Sequence, residues 1–319
     1  MLDTVVVGGG PAGLNAALTL GRVRRRVMLA DSGVYRNARS DAAHGFLTRD
    51  GADPAELRRL GRAELSAYPS VQIRDVKVDV ATPADGGFEL TLSDGSSAQT
   101  RTLLLATGMA DELPPVTGLE QLWGRGLYHC PYCHGWEVRD QPIAVLGADE
   151  FAARLALSLS RLGCDIVLCT DGRQAEMEAT TQHVLQANGV RICDDLVVRV
   201  SGQADRYVRL TLSPGWTLER RALFVHPHLR QRSGLPEQLG CTILPDGAVQ
   251  VDELGHTSVE GVYAAGDMCR TPAMPAPAAQ VVMAAGAGAR AAVILDQELL
   301  ARDVIAAAQA APPVQPAAA

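Results

Sequence analysis

The chain has 319 residues, 47% hydrophobic and 20% charged, the balance of a globular enzyme with room for about two domains. A net charge of −7 and an aromatic content of 4% give no attraction for nucleic acid or an anionic membrane, and no stacking platform for single strands. No apolar run reaches the ~18 residues of a membrane helix, and no basic leader precedes the first strand, so the expected location is the cytoplasm.

Residues 2–7 are an apolar run that predicts a strand, 8–13 a glycine turn, and 14–20 the start of an Ala/Leu-rich helix. Residues 26–31 read as the next strand, ending in Asp31, which completes a βαβ unit. A second helix is predicted over 54–67. Residues 71–80 and 88–92 alternate like strands, with turns at Asp85-Gly86-Gly87 and Asp94-Gly95. Residues 101–106 predict a buried strand closing on Thr107-Gly108, and Pro114-Pro115 marks a hinge. The pattern then repeats: a strand over 142–146, a turn over 147–152, a helix to 162 and a strand over 165–169. This second βαβ unit is the trace of a duplicated fold. Residues 239–246 are expected to carry the chain back, and 262–267 to form a strand ending in Gly266-Asp267. An Ala-rich helix follows from about Gln280, and the Ala/Pro/Gln-rich stretch 306–319 is expected to fray.

The first glycine turn reads Gly8-x-Gly10-x-x-Gly13. Gly8 permits a tight turn, Gly10 lets backbone approach a pyrophosphate, and Gly13 lets helix and strand pack closely. The helix N-terminus offers N–H groups and partial positive charge to the phosphates. Asp31 stands where an acid would bind the adenosine ribose hydroxyls.

Between the two glycine turns lies Cys130-Pro131-Tyr132-Cys133. Seven cysteines in a cytoplasmic chain are no disulfide framework, so a C-x-x-C pair reads as catalytic or metal-binding. A glutaredoxin-like reading needs a small βαβ core around the pair, which its position denies. A zinc reading would use His129 and His134, but no second pair at finger spacing follows. Two buried structural thiols are the plain alternative. The redox reading is favoured: two cysteines at this spacing on a helix start can close a small disulfide. The helix N-terminus and a nearby imidazolium would lower a thiol pKa. His134, helped by His129, is the expected acid/base.

Taken together, Gly8-x-Gly10-Pro11-Ala12-Gly13, Leu105-Ala106-Thr107-Gly108, the C-x-x-C pair and Tyr263-Ala264-Ala265-Gly266-Asp267 resemble the low-molecular-weight thioredoxin reductase family over residues 1 to about 300. The resemblance implies an α/β chain of two Rossmann-like, three-layer ββα dinucleotide-binding domains, the second inserted in the first. The split FAD domain would span 1–116 and 246–319, and a pyridine-nucleotide-type domain 117–245. It implies FAD as cofactor and usually a homodimer. Asp267 would bind the ribitol region of FAD, Gln280 would lie near the flavin ring, and Val78 joins the expected cofactor contacts. Cys133 would face the flavin and Cys130 exchange with an external thiol.

The chain departs from that family in ways that bear on direction. The nicotinamide turn Gly-x-Gly-x-x-Ala has Asp149 at its second glycine, a like charge where phosphates should lie. The family's His-Arg-Arg grip on the NADPH 2′-phosphate falls on Thr170-Asp171-Gly172, and its Arg-Gln-Ala on Ala279-Gln280-Val281. His134 stands where thioredoxin reductases have Asp. Cys-x-x-Cys-His-Gly, with Tyr35-Arg36-Asn37 and His44-Gly45-Phe46, resembles the gliotoxin and holomycin dithiol oxidase branch. That branch places Asn37 and His44 close to the flavin. The preferred expectation is oxidation of a small-molecule dithiol, with oxygen as acceptor and a degenerate NADPH site. The alternatives are an NAD(P)H-dependent reductase of thioredoxin or a small disulfide, and a redox-sensing flavoprotein with no turnover.

Overall fold

The computed structural model describes residues 1–310. Its contacts divide the chain into two compact units. The first comprises Met1–Tyr35, Arg58–Met109 and the chain from Gln231 onward; the second comprises Arg36–Leu57 and Ala110–Arg230. The crossings thus fall at 109/110 and 230/231, and residues 36–57 pack with the inserted segment.

The first unit begins with β1 (Leu2–Val7), α1 (Pro11–Arg22), β2 (Val27–Ala30), α2 (Pro54–Leu65) and β3 (Val71–Arg74). β2 is buried at every position and β1 at all but its first, the mark of strands covered on both faces. They pair in parallel with each other, and β2 with β3. A meander of β4 (Val78–Ala84), β5 (Gly87–Leu92) and β6 (Ser97–Leu105) follows. β6 has two personalities. Its first half alternates buried and exposed and pairs antiparallel with β5; Leu103, Leu104 and Leu105 are fully buried and pair in parallel with β1.

In the second unit the chain runs through β7 (Met109–Glu112), α3 (Leu119–Leu122), β8 (Leu127–Tyr128), α4 (Pro131–His134), β9 (Pro142–Leu146) and α5 (Glu150–Ser160). It continues through β10 (Asp165–Cys169), α6 (Ala179–Ala187), β11 (Arg191–Cys193), β12 (Val197–Gln203), β13 (Tyr207–Leu212), β14 (Thr217–Arg220), β15 (Ala222–Val225) and β16 (His228–Gln231). A five-stranded parallel sheet has the order β11-β10-β9-β15-β8. Alternation along its strands separates two cores. Ile143, Val145, Ile166, Leu168 and Phe224 pack with residues of α5. Ala144, Leu146, Val167, Leu223 and Val225 pack with residues of the antiparallel β12-β13-β14 sheet. These are the expected three layers.

The first unit is completed by α7 (Leu235–Gln238), β17 (Val249–Gln250), β18 (Val262–Ala264), β19 (Cys269–Arg270) and α8 (Val281–Ala310). β18 pairs in parallel with Leu103–Leu105 of β6, continuing the seven-stranded sheet. α8 packs on α1 through small residues. A Cβ on Gly288 would lie 2.0 Å from the Ala12 carbonyl oxygen. The chain from Gln231 onward groups with the first unit, and one sequence expectation needs correction here. Residues 306–310 are helical, because Ala is the best helix former and α8 simply continues; the remainder of the expected fraying tail, 311–319, lies outside the described residues. Among the described residues no helix is long and apolar enough to cross a membrane.

Candidate active site

The glycines of the first turn do different jobs. Gly8 has φ +112°, and a Cβ there would lie 2.4 Å from the Ala106 carbonyl oxygen. A Cβ on Gly13 would lie 1.8 Å from the Gly8 carbonyl oxygen. These two permit the close packing of turn, strand and helix. Nothing lies within 4 Å of a Cβ on Gly10, which precedes α1 and gives it no side-chain cap. Pro11, at the start of the helix, has no N–H to satisfy. The first turn of α1 therefore keeps its donors for an outside acceptor, and this cradle fits the pyrophosphate of FAD.

Asp31 is buried beside the turn; a Cβ on Gly9 would meet its Oδ2 at 2.0 Å. Its carboxylate accepts from the Gly33 N–H at 3.1 Å, the Arg62 Nη1 at 2.9 Å and the Tyr35 hydroxyl. Burial, then the bond to Asp31, pushes the Tyr35 phenol up to about 12. Sequence reasoning found the acid and missed Arg62, whose reach from α2 is a tertiary fact. Ala106 donates its N–H to the Val7 carbonyl, and Thr107 directs N–H and hydroxyl at the Met268 sulfur, both at 3.3 Å. Gly108 and Gly266 hold φ of +69° and +83°. A Cβ on Gly266 would lie 3.0 Å from the Cβ of Ala12, so the Gly266-Asp267 turn sits on the start of α1. The Gln280 carbonyl accepts from the Ala284 N–H at 2.8 Å at the head of α8. Val78 is a core residue of β4, its side chain 2% exposed.

Cys130 and Cys133 are joined as a disulfide, with Cα atoms 5.3 Å apart. Cys130 precedes α4 in extended conformation, and Pro131 opens the helix. His134 ends α4 and stacks on Tyr128, with ring centroids 4.3 Å apart and planes at 11°. The Tyr128 hydroxyl donates to Asp205 at 2.9 Å, which fixes the platform. The Nε2 of His134 is 3.3 Å from the Ser40 Oγ, and that hydroxyl donates its proton to the Ala42 carbonyl at 2.8 Å. Ser40 can then only accept, so Nε2 carries the imidazole proton and Nδ1 is the basic nitrogen. His44 lies 6.3 Å from His134, ring to ring, with Asp50 and Glu137 each 3.5 Å from its nitrogens. Asn37 lies in the preceding turn, where its carbonyl accepts from Ser40 N–H.

These surroundings work against the expected imidazolium. Burial holds His134 below the ordinary histidine range, against the pull of Glu137. His129 is pushed down to about 4 by burial and then by the charge of Arg36, and it stacks on Trp123 at 5.6 Å. Both shifts favour the neutral imidazole, the form able to accept a proton. Tyr128, Ser40 and Trp123 left no signal in the sequence. The aromatic side chains of Tyr132 and Trp136, on either side of Cys133 and His134, are exposed. Among the described residues no group of three His, Cys, Asp or Glu could hold a metal ion.

The second glycine turn keeps its shape. Gly147 has φ +144°, and a Cβ there would meet the Ala152 Cβ at 2.8 Å. Its helix is occupied differently: the Asp149 carboxylate accepts from the Ala152 N–H at 2.8 Å. Phe151 and His226 stack face to face beside it, with centroids 4.4 Å apart. At the end of β10 the Thr170 hydroxyl donates to Asp194, and Asp171 accepts from the Val197 N–H at 2.7 Å.

The chain matches the pyridine nucleotide-disulphide oxidoreductase family over residues 2–293. It is 33% identical over 297 residues to a probable thioredoxin reductase of Arthroderma benhamiae, covering 83% of this chain and 73% of that one. It is 31% identical over 323 residues to thioredoxin reductase sirT of Leptosphaeria maculans, covering 96% and 97%. The crystal structure of HlmI superimposes with a TM-score of 0.88 at 40% identity, over 97% of this chain and 96% of that one. With an open pyrophosphate cradle in one unit and a redox disulfide in the other, the chain belongs to the pyridine nucleotide-disulphide oxidoreductase family and is a thioredoxin reductase-like enzyme with FAD as its cofactor.

Proposed function

We propose that this enzyme oxidises a small-molecule dithiol to its disulfide, that oxygen takes the electrons, and that the second unit holds no NADPH. One contrast carries the reading: α1 begins uncapped, whereas α5 begins with Asp149 already bonded to the N–H that a phosphate would take. Asp171 adds a second carboxylate where a 2′-phosphate grip would be required. A substrate thiolate attacks the Cys130 sulfur and breaks its bond to Cys133. His134, through Nδ1, takes the proton of the second substrate thiol. That thiolate attacks the substrate sulfur now bonded to Cys130, releasing the product disulfide and leaving both cysteines reduced. Two electrons have moved from substrate to enzyme. Bound FAD supplies a two-electron acceptor for that dithiol and a route to oxygen. We assign Gly8, Gly10, Pro11, Ala12, Gly13, Asp31, Ala106, Thr107, Gly108, Gly266, Asp267 and Gln280 to FAD, with the backbone of Val78, and with Asn37 and His44 near the flavin. We also propose a cytoplasmic homodimer.

The alternative, an NAD(P)H-dependent disulfide reductase, is favoured by the intact backbone at Gly147 and by relatives named thioredoxin reductase. An anaerobic titration of the FAD-loaded protein separates the two. NADPH and NADH should leave the oxidised flavin band intact. Dithiothreitol should bleach it, and air should restore it with one peroxide per dithiol. Prompt bleaching by either nucleotide would replace this reading with the reductase.

A further inference from the structure

Five cysteines lie outside the disulfide, and two of them face each other. Cys169 ends β10, Cys193 ends β11, and the two are paired in the parallel register of the sheet. Paired residues on neighbouring strands point to the same face, and both side chains belong to the core between the parallel sheet and the β12-β13-β14 sheet. Adjacent strands lie about 4.8 Å apart, inside the ~4.4–6.8 Å Cα separation that a disulfide spans. The nearby Cys193 thiol helps to raise the pKa of Cys169, after the larger effect of burial. Thr170 donates its N–H to the Cys193 carbonyl at 2.9 Å, which holds the strand ends together.

The two cysteines differ in access. Cys169 is fully buried, and Cys193 is partly exposed on a three-residue strand at the edge of the sheet. An edge strand has one neighbour, so its last residue can move toward β10 without disturbing a second ladder. Arg220 adds a cation to this corner. Burial pushes the Cys169 thiol up to about 12, the charge of Arg220 pulls against that rise, and the buried Nε of Arg220 has no hydrogen-bond partner.

We propose that Cys169 and Cys193 are a second redox pair, oxidised to a disulfide across β10 and β11 by exchange with a small-molecule disulfide. Cys193, the accessible thiol, loses its proton and attacks one sulfur of the external disulfide. That bond breaks, and the departing thiolate takes up a proton. Cys169 then loses its proton and attacks the Cys193 sulfur, releasing the second external thiol. Two protein thiols are oxidised, one external disulfide is reduced, and both protons leave on the released thiols. Cys169 directly precedes Thr170-Asp171-Gly172, and Thr170 is hydrogen-bonded to Cys193 and Asp194, so the pair adjoins that loop. The inference stands whichever way electrons flow at Cys130–Cys133.

The test uses the FAD-loaded full chain with Cys130–Cys133 oxidised, exposed to excess cystamine and then unfolded for thiol counting and peptide mass mapping. The five free thiols should fall to three, with a Cys169–Cys193 cross-linked peptide. In Cys169→Ser the reaction should stop at a mixed disulfide on Cys193, and in Cys193→Ser Cys169 should stay reduced. Retention of five thiols in the native chain, a lasting cystamine adduct on Cys193, or a cross-link joining any other pair would overturn the proposal. Turnover of Cys193→Ser with dithiothreitol should equal that of the native chain, which shows that the variant folds.

Discussion

His134 is a histidine whose neighbours decide its protonation. Burial lowers its pKa, and Ser40 fixes which nitrogen is basic. Its base role needs the neutral form, present above that lowered pKa and lost as pH falls through it. Flavin reduction by a dithiol should therefore stay fast near neutrality and decline only below the ordinary histidine range. His134→Asn should slow it by about 10²-fold, the usual worth of a positioned base, and should remove that acid limb. Stopped-flow reduction across pH checks both; an unchanged profile would remove His134 from the proton path. The glycines of the first turn give a second residue-scale contrast. Gly10→Ala meets open space, so the chain should fold normally and purify with much less FAD. Gly13→Ala drives a Cβ into the Gly8 carbonyl, so it should lower stability as well. Flavin content and urea unfolding of the two variants distinguish these outcomes.

At the scale of the element, one strand-turn-helix unit occurs twice and ends differently. α1 starts with Gly10 and keeps its donors; α5 starts with Asp149, which satisfies one of them. An acid at this position is also an N-cap, and capping is a stabilising role quite apart from its repulsion of phosphate. Asp149→Ala should cost about 1 kcal/mol of stability, and Asp149→Gly only a few tenths. Urea unfolding measures the difference. The ranking reverses if the carboxylate contributes nothing to α5 and the loss of backbone restriction by Gly dominates.

At the scale of the molecule, the residues proposed to hold FAD, Asn37 and His44 apart, and the Cys130–Cys133 disulfide belong to different compact units. FAD addition to the apoprotein should slow amide exchange in peptides covering 8–14, 105–108 and 264–284. If Asn37 and His44 lie near the flavin, 36–46 should gain protection too, although that segment packs with the second unit. NADPH at millimolar concentration should protect nothing over 147–172. Exchange mass spectrometry reads all of these in one experiment; protection of 147–172 by NADPH would show a live nucleotide crevice.

Local chemistry was legible in the chain. Apolar runs predicted β1, β2, β9 and β10, glycine spacing located both turns, and Cys130 and Cys133 announced the redox pair, because these signals are local in sequence and need no folded context. The departure at Asp149 was also visible as a charge in the wrong place. Its second role as a cap depends on which backbone N–H its carboxylate reaches. Tertiary structure alone decided the rest. Burial lowers the pKa of both His129 and His134, and contacts at 109/110 and 230/231 set the unit boundaries. Ser40 and Tyr128, remote from His134 in sequence, fix its ring, and sheet register brought Cys169 onto Cys193. A pKa, a stacking partner and a strand register all depend on distances that only packing creates, and those distances are where sequence reading stops.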